Sequence, residues 1–286
     1  MEAKNTFFAT KNLINCNGSL VDFSIPKVMG VLNITPDSFY DGGRYFDQQS
    51  IIDQAARLID EGADMIDIGG YSSRPGAEHI PVQEELSRIL PVLETIRKHY
   101  PSVVISVDTF RSYIARIVVR DYRVDMINDI SAGEIDPEMF DTIADLQVPY
   151  IMMHMKGTPQ NMKGKAHYQD LLKEIMGYFS GKYDLLRKLG VNDVVLDPGF
   201  GFGKTIQHNY HLLKHLEQFK IFELPIMVGL SRKSMIYKVL GNSPAGALNG
   251  TTALNTIALM NGANILRVHD VKEARELVTL MGKYNG

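Results

Sequence analysis

The segment VMGVLNITPDSFYDGGRYFD (residues 28–47) begins as an apolar run and changes abruptly into a polar loop. Pro36 lacks a backbone N–H, and the paired glycines Gly42 and Gly43 favour an open backbone, so the second half cannot continue a strand inside a sheet. We therefore expect a buried strand that ends near Asn33 and a loop rich in oxygen-bearing side chains. The same change from an apolar run to polar residues recurs along the chain, and this repetition decides the fold.

Eight short β-rich runs alternate with helical patterns. The runs start at Lys27, Asp64, Val103, Val124, Pro149, Asp193, Pro225 and Asn264. They are apolar without strict alternation, which is typical of strands buried on both faces of a parallel sheet. Eight such units predict an α/β protein with a closed (β/α)8 barrel, the TIM barrel. An open doubly wound sheet is the alternative, but no glycine fingerprint follows the first strand.

A shorter β pattern precedes the barrel. Residues 12–25, NLINCNGSLVDFSI, predict an N-terminal β-hairpin that turns at Asn17 and Gly18 and plugs the N-terminal end of the barrel. The sequence contains no low-complexity segment and no interdomain linker. We therefore expect one domain over residues 1–286.

Composition argues against several classes of protein. The formal net charge of −3 gives no basic surface, so we expect no nucleic-acid partner. No uninterrupted apolar run is long enough to span a bilayer, and the first residues lack a signal-peptide pattern, so no membrane partner is expected. The single cysteine, Cys16, excludes an intramolecular disulfide and fits a reducing cytoplasm.

Polar side chains follow every predicted barrel strand, at the end where barrel enzymes carry their chemistry. They are Asn33, Ser73 with Arg74, Asp108, Asn128, His154, Asp197, Ser231 with Lys233, and Arg267 with His269. Each has an ordinary alternative when taken singly: Asp108 as a helix N-cap, Asp197 as a turn residue, Asn128 as a partner for loop backbone. Taken together at all eight strand ends, they predict an active site.

The chemistry of these side chains indicates the ligands. Arginine forks match phosphate oxygens, and four residues are cations or donors: Arg74, Lys233, Arg267 and His269. Three others are acceptors for a flat ring that bears several N–H groups: Asp108, Asn128 and Asp197. Asn33, beside Thr35 and Asp37, offers oxygen ligands suited to Mg²⁺. The set predicts a polyphosphate, a nitrogen heterocycle, Mg²⁺ and a transfer reaction in which diphosphate leaves.

Two further segments carry candidate residues. DPGFGFGK (197–204) lacks the spacing of a phosphate-binding loop, and we interpret Phe200 and Phe202 as exposed rings that stack on an aryl substrate. Met153 is a candidate for the wall of a flat-ring pocket. Three histidines, 208, 211 and 215, share one helical face; a metal site and a solvated helix are the alternatives, and no carboxylate joins them at that spacing.

Seven segments resemble, in order, the sequence blocks of the dihydropteroate synthase family. They are MGVLNITPDSFYDGG, DIGGYSSRPGA, SVDTFR, INDISAG, LDPGFGFGK, GLSRKS and RVHDV. The resemblance implies a (β/α)8 barrel that condenses 6-hydroxymethyl-7,8-dihydropterin diphosphate with p-aminobenzoate in folate biosynthesis. It also implies Mg²⁺, a homodimer and sulfonamides as inhibitors. Two positions depart from many members: Tyr71 stands in place of an acidic residue, and Ser73 in place of threonine.

The resemblance also implies a role for each matching residue. The pterin-binding set is Asp108, Asn128, Met153, Asp197 and Lys233. The diphosphate-binding set is Asn33, which also contacts Mg²⁺, with Arg74, Arg267 and His269. The p-aminobenzoate pocket is Ser73, Pro75, Phe200, Ser231 and Lys233. The residues implied in catalysis are Arg74, Asp108, Lys233, Arg267 and His269.

Residues 33–43 are then interpreted as a lid over the diphosphate, which would exclude water from a reactive intermediate. Two alternatives to the synthase remain at this point. A pterin-binding methyltransferase domain of corrinoid systems shares the barrel but has no use for Asn33, Arg74 or the lid. A catalytically silent folate-binding protein would use the same barrel and release no diphosphate.

Overall fold

The computed structural model describes residues 12–34, 48–74 and 76–284. Its strands are β1 (Leu13–Cys16), β2 (Ser19–Asp22), β3 (Lys27–Asn33), β4 (Met65–Gly69), β5 (Val104–Asp108), β6 (Met126–Asp129), β7 (Tyr150–Met153), β8 (Val194–Asp197), β9 (Met227–Val228) and β10 (Ile265–Val268). Its helices are α1 (Gln48–Asp60), α2 (Val82–His99), α3 (Ser112–Tyr122), α4 (Met139–Leu146), α5 (Leu171–Lys188), α6 (Ile206–Lys214), α7 (Ser234–Tyr237), α8 (Leu248–Met260) and α9 (Val271–Tyr284). None of the helices in these ranges is both long and apolar enough to cross a membrane.

Strands β3 to β10 form one parallel sheet in the order β8-β7-β6-β5-β4-β3-β10-β9. A parallel bridge between Leu196 and Ile226 links the two edge strands, where the Leu196 N–H donates to the Pro225 carbonyl at 2.9 Å. The sheet is therefore a nearly closed barrel with helices between its strands, and the predicted TIM barrel is confirmed. Strands β4, β6, β7 and β8 are buried at every residue, which explains why their sequences do not alternate.

Strands β1 and β2 form the predicted hairpin at the N-terminal end of the barrel. Asn17 and Gly18 have φ values of 50° and 87°, the left-handed backbone that a tight hairpin turn requires. Ile14, Cys16 and Phe23 pack on interior side chains from the N-terminal halves of the barrel strands. The hairpin therefore plugs this end, as predicted. Burial raises the pKa of the free Cys16 thiol to about 12, so the thiol is protonated and unreactive at neutral pH.

Candidate active site

A buried polar network lies inside the barrel, toward the C-terminal ends of β4, β5, β6 and β10. Arg267 Nε donates to Asp67 Oδ2 at 2.7 Å, and Arg267 Nη2 donates to Asp108 Oδ2 at 3.1 Å. Asn128 Nδ2 donates to the same Asp67 oxygen at 3.0 Å. Strand register explains the convergence, because Asp108 pairs with Gly69 across β4–β5 and with Asn128 across β5–β6. The structure thus brings three predicted residues together around a fourth that was not predicted.

That fourth residue, Asp67, lies in the middle of β4 and its side chain is fully buried. Its Oδ1 atom has no hydrogen-bond partner within the described part of the chain. The sequence does carry a signal for it, because aspartate is almost never fully buried unless it is paired. The single carboxylate inside the apolar run MIDIG therefore indicates a buried aspartate with a polar partner.

Asp67 also fixes the orientation of the Asn128 amide. A carboxylate only accepts hydrogen bonds, so the NH₂ group of Asn128 must be the side that faces Asp67. The amide oxygen of Asn128 is then directed away from Asp67. The Asn128 NH₂ group is therefore bonded to a side chain and not to loop backbone, and the role of its oxygen as a ligand acceptor stays a prediction.

Protonation in this network depends on two opposing effects. Burial raises the pKa of Asp108 to about 8, while the Arg267 guanidinium lowers it and the carboxylates of Asp67, Glu85 and Asp129 raise it further. A bound cation or a row of N–H donors would favour the charged form of Asp108.

Asp197, at the end of β8, and Lys233, five residues after β9, interact through their charges. Asp197 Oδ1 accepts from the Gly199 N–H at 2.7 Å, so the turn interpretation is correct for one carboxylate oxygen. Burial raises the pKa of Asp197 and the charge of Lys233 opposes this rise. Burial likewise lowers the pKa of Lys233 to about 8 against the attraction of Asp197. The charge of each group therefore opposes the effect of burial on the pKa of the other.

His269 and Ser231 are hydrogen-bonded beyond β10 and β9. The His269 backbone N–H donates to Ser231 Oγ at 3.2 Å, and His269 Nδ1 lies 3.0 Å from the same oxygen. The Ser231 hydroxyl has one proton and two lone pairs, so it can either donate to Nδ1 or accept from an Nδ1–H, according to the imidazole tautomer. Burial, with the nearby charge of Arg267, lowers the pKa of His269 to about 4. His269 is therefore neutral and not a cation near pH 7.

The prediction of an exposed Phe200 ring is wrong. The residue is 0% exposed and belongs to the main hydrophobic core. What Phe200 presents instead is its carbonyl, which accepts from Lys233 Nζ at 2.5 Å. The aromatic face near this lysine is that of the half-buried Phe202, whose ring centre is 4.9 Å from Nζ. The segment turns its first phenylalanine inward because Gly199 and Gly201 adopt positive φ on either side of it.

A buried lysine, also missed from the sequence, organises the 197–204 segment. Lys204 Nζ donates to the carbonyls of Gly199 (2.8 Å), Phe202 (3.2 Å) and His154 (3.2 Å), and lies 2.9 Å from His154 Nδ1. Burial lowers the pKa of Lys204 well below its ordinary value. A Cβ atom at Gly199 would lie 2.0 Å from the His154 carbonyl oxygen, so only glycine fits there. The segment is thus a carbonyl-lined turn around Lys204, in agreement with its poor match to a phosphate loop.

The remaining predicted residues occupy the same end of the barrel. Asn33 ends β3, while Ser73 (partly buried) and Arg74 (exposed) follow β4. Met153 ends β7 and is buried in a small apolar cluster with Tyr71. Pro75 lies outside the described residues, as does the predicted lid from residue 35 onward.

The histidine face of α6 takes a structural role. His208 completes a capping box with Thr205: its backbone N–H donates to Thr205 Oγ1 at 3.1 Å, and its Nδ1 accepts from the Thr205 N–H at 3.3 Å. Among the residues that the structure describes, no three His, Cys, Asp or Glu side chains are grouped as a metal site. The metal alternative for these histidines therefore has no support.

Known proteins share both the sequence and the geometry. The sequence pattern of the family described as pterin binding enzyme matches residues 29–269. Dihydropteroate synthase from Escherichia coli K12 is 42% identical over 266 residues, which cover 92% of this chain and 93% of the relative.

Solved structures agree with this assignment. The dihydropteroate synthase of Yersinia pestis, solved with a sulfonamide drug complex, superposes with a TM-score of 0.88 at 40% identity, over 96% of this chain and 98% of that one. The Xanthomonas albilineans enzyme, solved with 4-aminobenzoic acid, gives a TM-score of 0.89 at 37% identity, over 97% and 99%. The chain therefore belongs to the dihydropteroate synthase family of pterin-binding enzymes.

Proposed function

We propose that this protein condenses 6-hydroxymethyl-7,8-dihydropterin diphosphate with p-aminobenzoate, giving 7,8-dihydropteroate and diphosphate in folate biosynthesis. The observation that carries the proposal is the network of Asp67, Asp108, Asn128 and Arg267. It presents buried acceptors to a flat ring rich in N–H groups and a guanidinium to the diphosphate. The relatives solved with 4-aminobenzoic acid and with a sulfonamide drug support p-aminobenzoate as the second substrate and sulfonamides as inhibitors.

The acceptor residues define the pterin pocket. Asp108 and the amide oxygen of Asn128 would accept from N–H groups at one part of the ring, and Asp197 from another. Lys233, next to Asp197, would donate to a ring carbonyl or nitrogen, and Met153 would cover one face. Pairing each donor of the ring with a buried carboxylate or amide excludes heterocycles that lack those donors.

The diphosphate would be bound by donors at the rim of the pocket. Arg267 supplies a forked guanidinium, His269 a neutral imidazole, and Arg74 a second guanidinium from the loop after β4. Ser73, Pro75, Ser231 and Lys233 would surround p-aminobenzoate, with the backbone of Phe200 fixing the position of the lysine. Phe202 offers the aromatic face that Phe200 does not.

Mg²⁺ would be held by the side-chain oxygen of Asn33, at the end of β3. A Cβ atom at Gly69 would lie 3.3 Å from Asn33 Oδ1 and 3.8 Å from Asp108 Oδ2, so glycine keeps open the space between them. Mg²⁺ usually keeps several waters and takes one or two protein oxygens with substrate phosphates, a need that Asn33 can satisfy. When bound, Mg²⁺ would neutralise part of the charge on the departing diphosphate.

The residues of the chain have separate tasks in the reaction. The bond from the pterin methylene carbon to a diphosphate oxygen breaks, and its electron pair leaves with diphosphate. Arg267, His269 and Arg74 stabilise that anion, which is where negative charge develops. Asp108 stabilises the positive charge left on the ring and methylene. The amine of p-aminobenzoate then forms the new C–N bond and loses one proton to the medium.

Release of diphosphate is the direct test. The protein, both substrates and Mg²⁺ should give dihydropteroate and diphosphate in equal amounts, and EDTA should remove most of the rate. Independently of turnover, Mg²⁺ should tighten calorimetric binding of the pterin diphosphate. Asn33→Ala should abolish that tightening and leave affinity for the pterin alcohol unchanged. A protein that binds pterin but releases no diphosphate would instead be a silent folate-binding protein.

We also propose a homodimer. Large apolar side chains are exposed beside α7 and on α8: Val239 (56%), Leu240 (57%), Ile257 (41%) and Met260 (60%). Leu240→Glu is expected to shift sedimentation toward the monomer, because it places a charge in this apolar surface. Leu280→Glu, at a leucine of α9 that is 68% exposed, is the matched control and should sediment as wild type. A monomeric wild type would contradict the proposal.

A cytoplasmic location completes the proposal. It is supported by the single cysteine, which is buried and free.

A further inference from the structure

Two loops at the mouth of the barrel are joined across two intervening strands. Tyr71 lies in the loop after β4, and Gln160 in the loop after β7. Gln160 Nε2 donates to the Tyr71 hydroxyl oxygen at 2.7 Å and to the Ala77 carbonyl at 3.3 Å. The Gly76 N–H donates to the Pro159 carbonyl at 3.0 Å. Strands β5 and β6 separate β4 from β7 in the sheet, so these bonds cross the mouth.

The Tyr71 hydroxyl is also fixed from the other side. It lies 3.3 Å from His79 Nδ1, and His79 Nε2 lies 3.3 Å from Arg111 Nη2. Arginine can only donate, so Nε2 accepts, and the imidazole proton is on Nδ1, facing Tyr71. Arg111 in turn donates to the fully buried Glu85 at 2.6 Å. The Tyr71 oxygen therefore accepts from both His79 and Gln160.

The ring of Tyr71 is immobilised as well. It meets Phe110 edge to face at a centroid distance of 5.0 Å, and the Arg111 guanidinium lies 5.5 Å from its centre. Tyr71 is only 7% exposed and packs in one apolar cluster with Met153 and Met162. Its hydroxyl oxygen is therefore a fixed acceptor at the barrel mouth, and Gln160 brings the loop after β7 to it.

We infer that Tyr71 is a positioning residue: its hydroxyl joins the loops after β4 and β7 and thereby sets the affinity for p-aminobenzoate through Ser73. Ser73 and Arg74 lie between two positions, Tyr71 and Gly76, that are both bonded to the loop after β7. Contacts within the protein already hold these residues in place before p-aminobenzoate binds. Binding therefore loses less free energy to ordering the loop, and the affinity for p-aminobenzoate is higher. The inference rests on the role proposed above for Ser73.

Three variants and one control test it. Tyr71→Phe removes only the hydroxyl, Gln160→Leu removes its partner, and the double variant removes both. Tyr210→Phe is the matched control, because it also loses one tyrosine hydrogen bond, 3.0 Å to the Met235 carbonyl on the outside of the barrel. Each single change should raise KM for p-aminobenzoate about 3- to 10-fold, the effect of one partly exposed hydrogen bond. KM for the pterin diphosphate and kcat should change less than KM for p-aminobenzoate, because Arg267 and His269, which lie outside this loop, bind the diphosphate together with Arg74.

The double variant distinguishes a shared bond from two separate effects. If the two side chains act through their shared bond, the loss in the double variant should be smaller than the sum of the two single losses. Additive losses, or equal losses in both KM values with a lowered Tm, would overturn the inference. Amide hydrogen exchange of residues 71–80 gives a readout that does not need turnover. It should quicken in Tyr71→Phe and Gln160→Leu but not in Tyr210→Phe, and unchanged exchange would also overturn the inference. Absence of diphosphate release by wild type would contradict the proposed function alone.

Discussion

Asp197→Asn is expected to weaken binding of the pterin alcohol by ~2–5 kcal/mol, the cost of losing one charge-assisted pair in a buried pocket. Asp197 Oδ1 accepts from the Gly199 N–H at 2.7 Å. The amide of the variant will keep its oxygen on that N–H and must turn its NH₂ group toward the pocket. A donor then faces the donating edge of the pterin, and Lys233 loses the carboxylate that opposes its desolvation.

The measurement is calorimetric titration of 6-hydroxymethyl-7,8-dihydropterin into the folded variant. Asp193→Asn is the matched control, because Asp193 directly precedes the same strand at the opposite end of the barrel. There the carboxylate accepts from the Asn15 N–H at 3.3 Å, and an amide oxygen can replace it. The control should bind pterin as wild type does. Near-native affinity in Asp197→Asn would show that this carboxylate does not contact the ring.

The sequence predicts the barrel and most of the polar residues at its C-terminal end, because of the geometry of parallel sheets. Every strand of such a sheet ends at the same edge, so residues at strand ends converge without any knowledge of side-chain packing. Asp108, Asn128 and Arg267 meet in this way although up to 159 positions separate two of them. Periodicity and turn residues were sufficient for that step.

Strand-end position does not predict residues that lie within a strand or that turn inward from a loop. Asp67 is in the middle of β4, where the sequence gives no strand end to mark it. Phe200 is turned into the core by glycines with positive φ, and the side-chain direction in such a turn depends on backbone angles that spacing does not reveal. The bond between Tyr71 and Gln160 joins positions 89 apart in two loops of unpredicted conformation.

Arg267→Ala is expected to cause the largest loss, in both stability and ligand binding. The change leaves the Asp67 and Asp108 carboxylates buried without their cation, which typically costs ~3–5 kcal/mol. It should weaken binding of the pterin alcohol through Asp108 and weaken the pterin diphosphate further, because the guanidinium that faces the diphosphate is also gone. Arg267→Lys should recover part of the stability but little diphosphate binding, since lysine lacks the fork.

The pH dependence of this loss has a definite sign. The pKa of Asp108 is raised to about 8 from an ordinary value of 3.8, so over that range the folded protein binds a proton that the unfolded chain has lost. The free energy of unfolding therefore falls as pH rises toward 8. Removing Arg267 raises the pKa of Asp108 further and extends the fall to higher pH. Urea unfolding at pH 6 and pH 9 should show a larger deficit at pH 9, whereas Arg116→Ala, which breaks an exposed ion pair of 3.1 Å, should cost less than ~1 kcal/mol at both. Equal weakening of pterin alcohol and pterin diphosphate would exclude Arg267 from the diphosphate site, and a pH-independent deficit would exclude its coupling to Asp108.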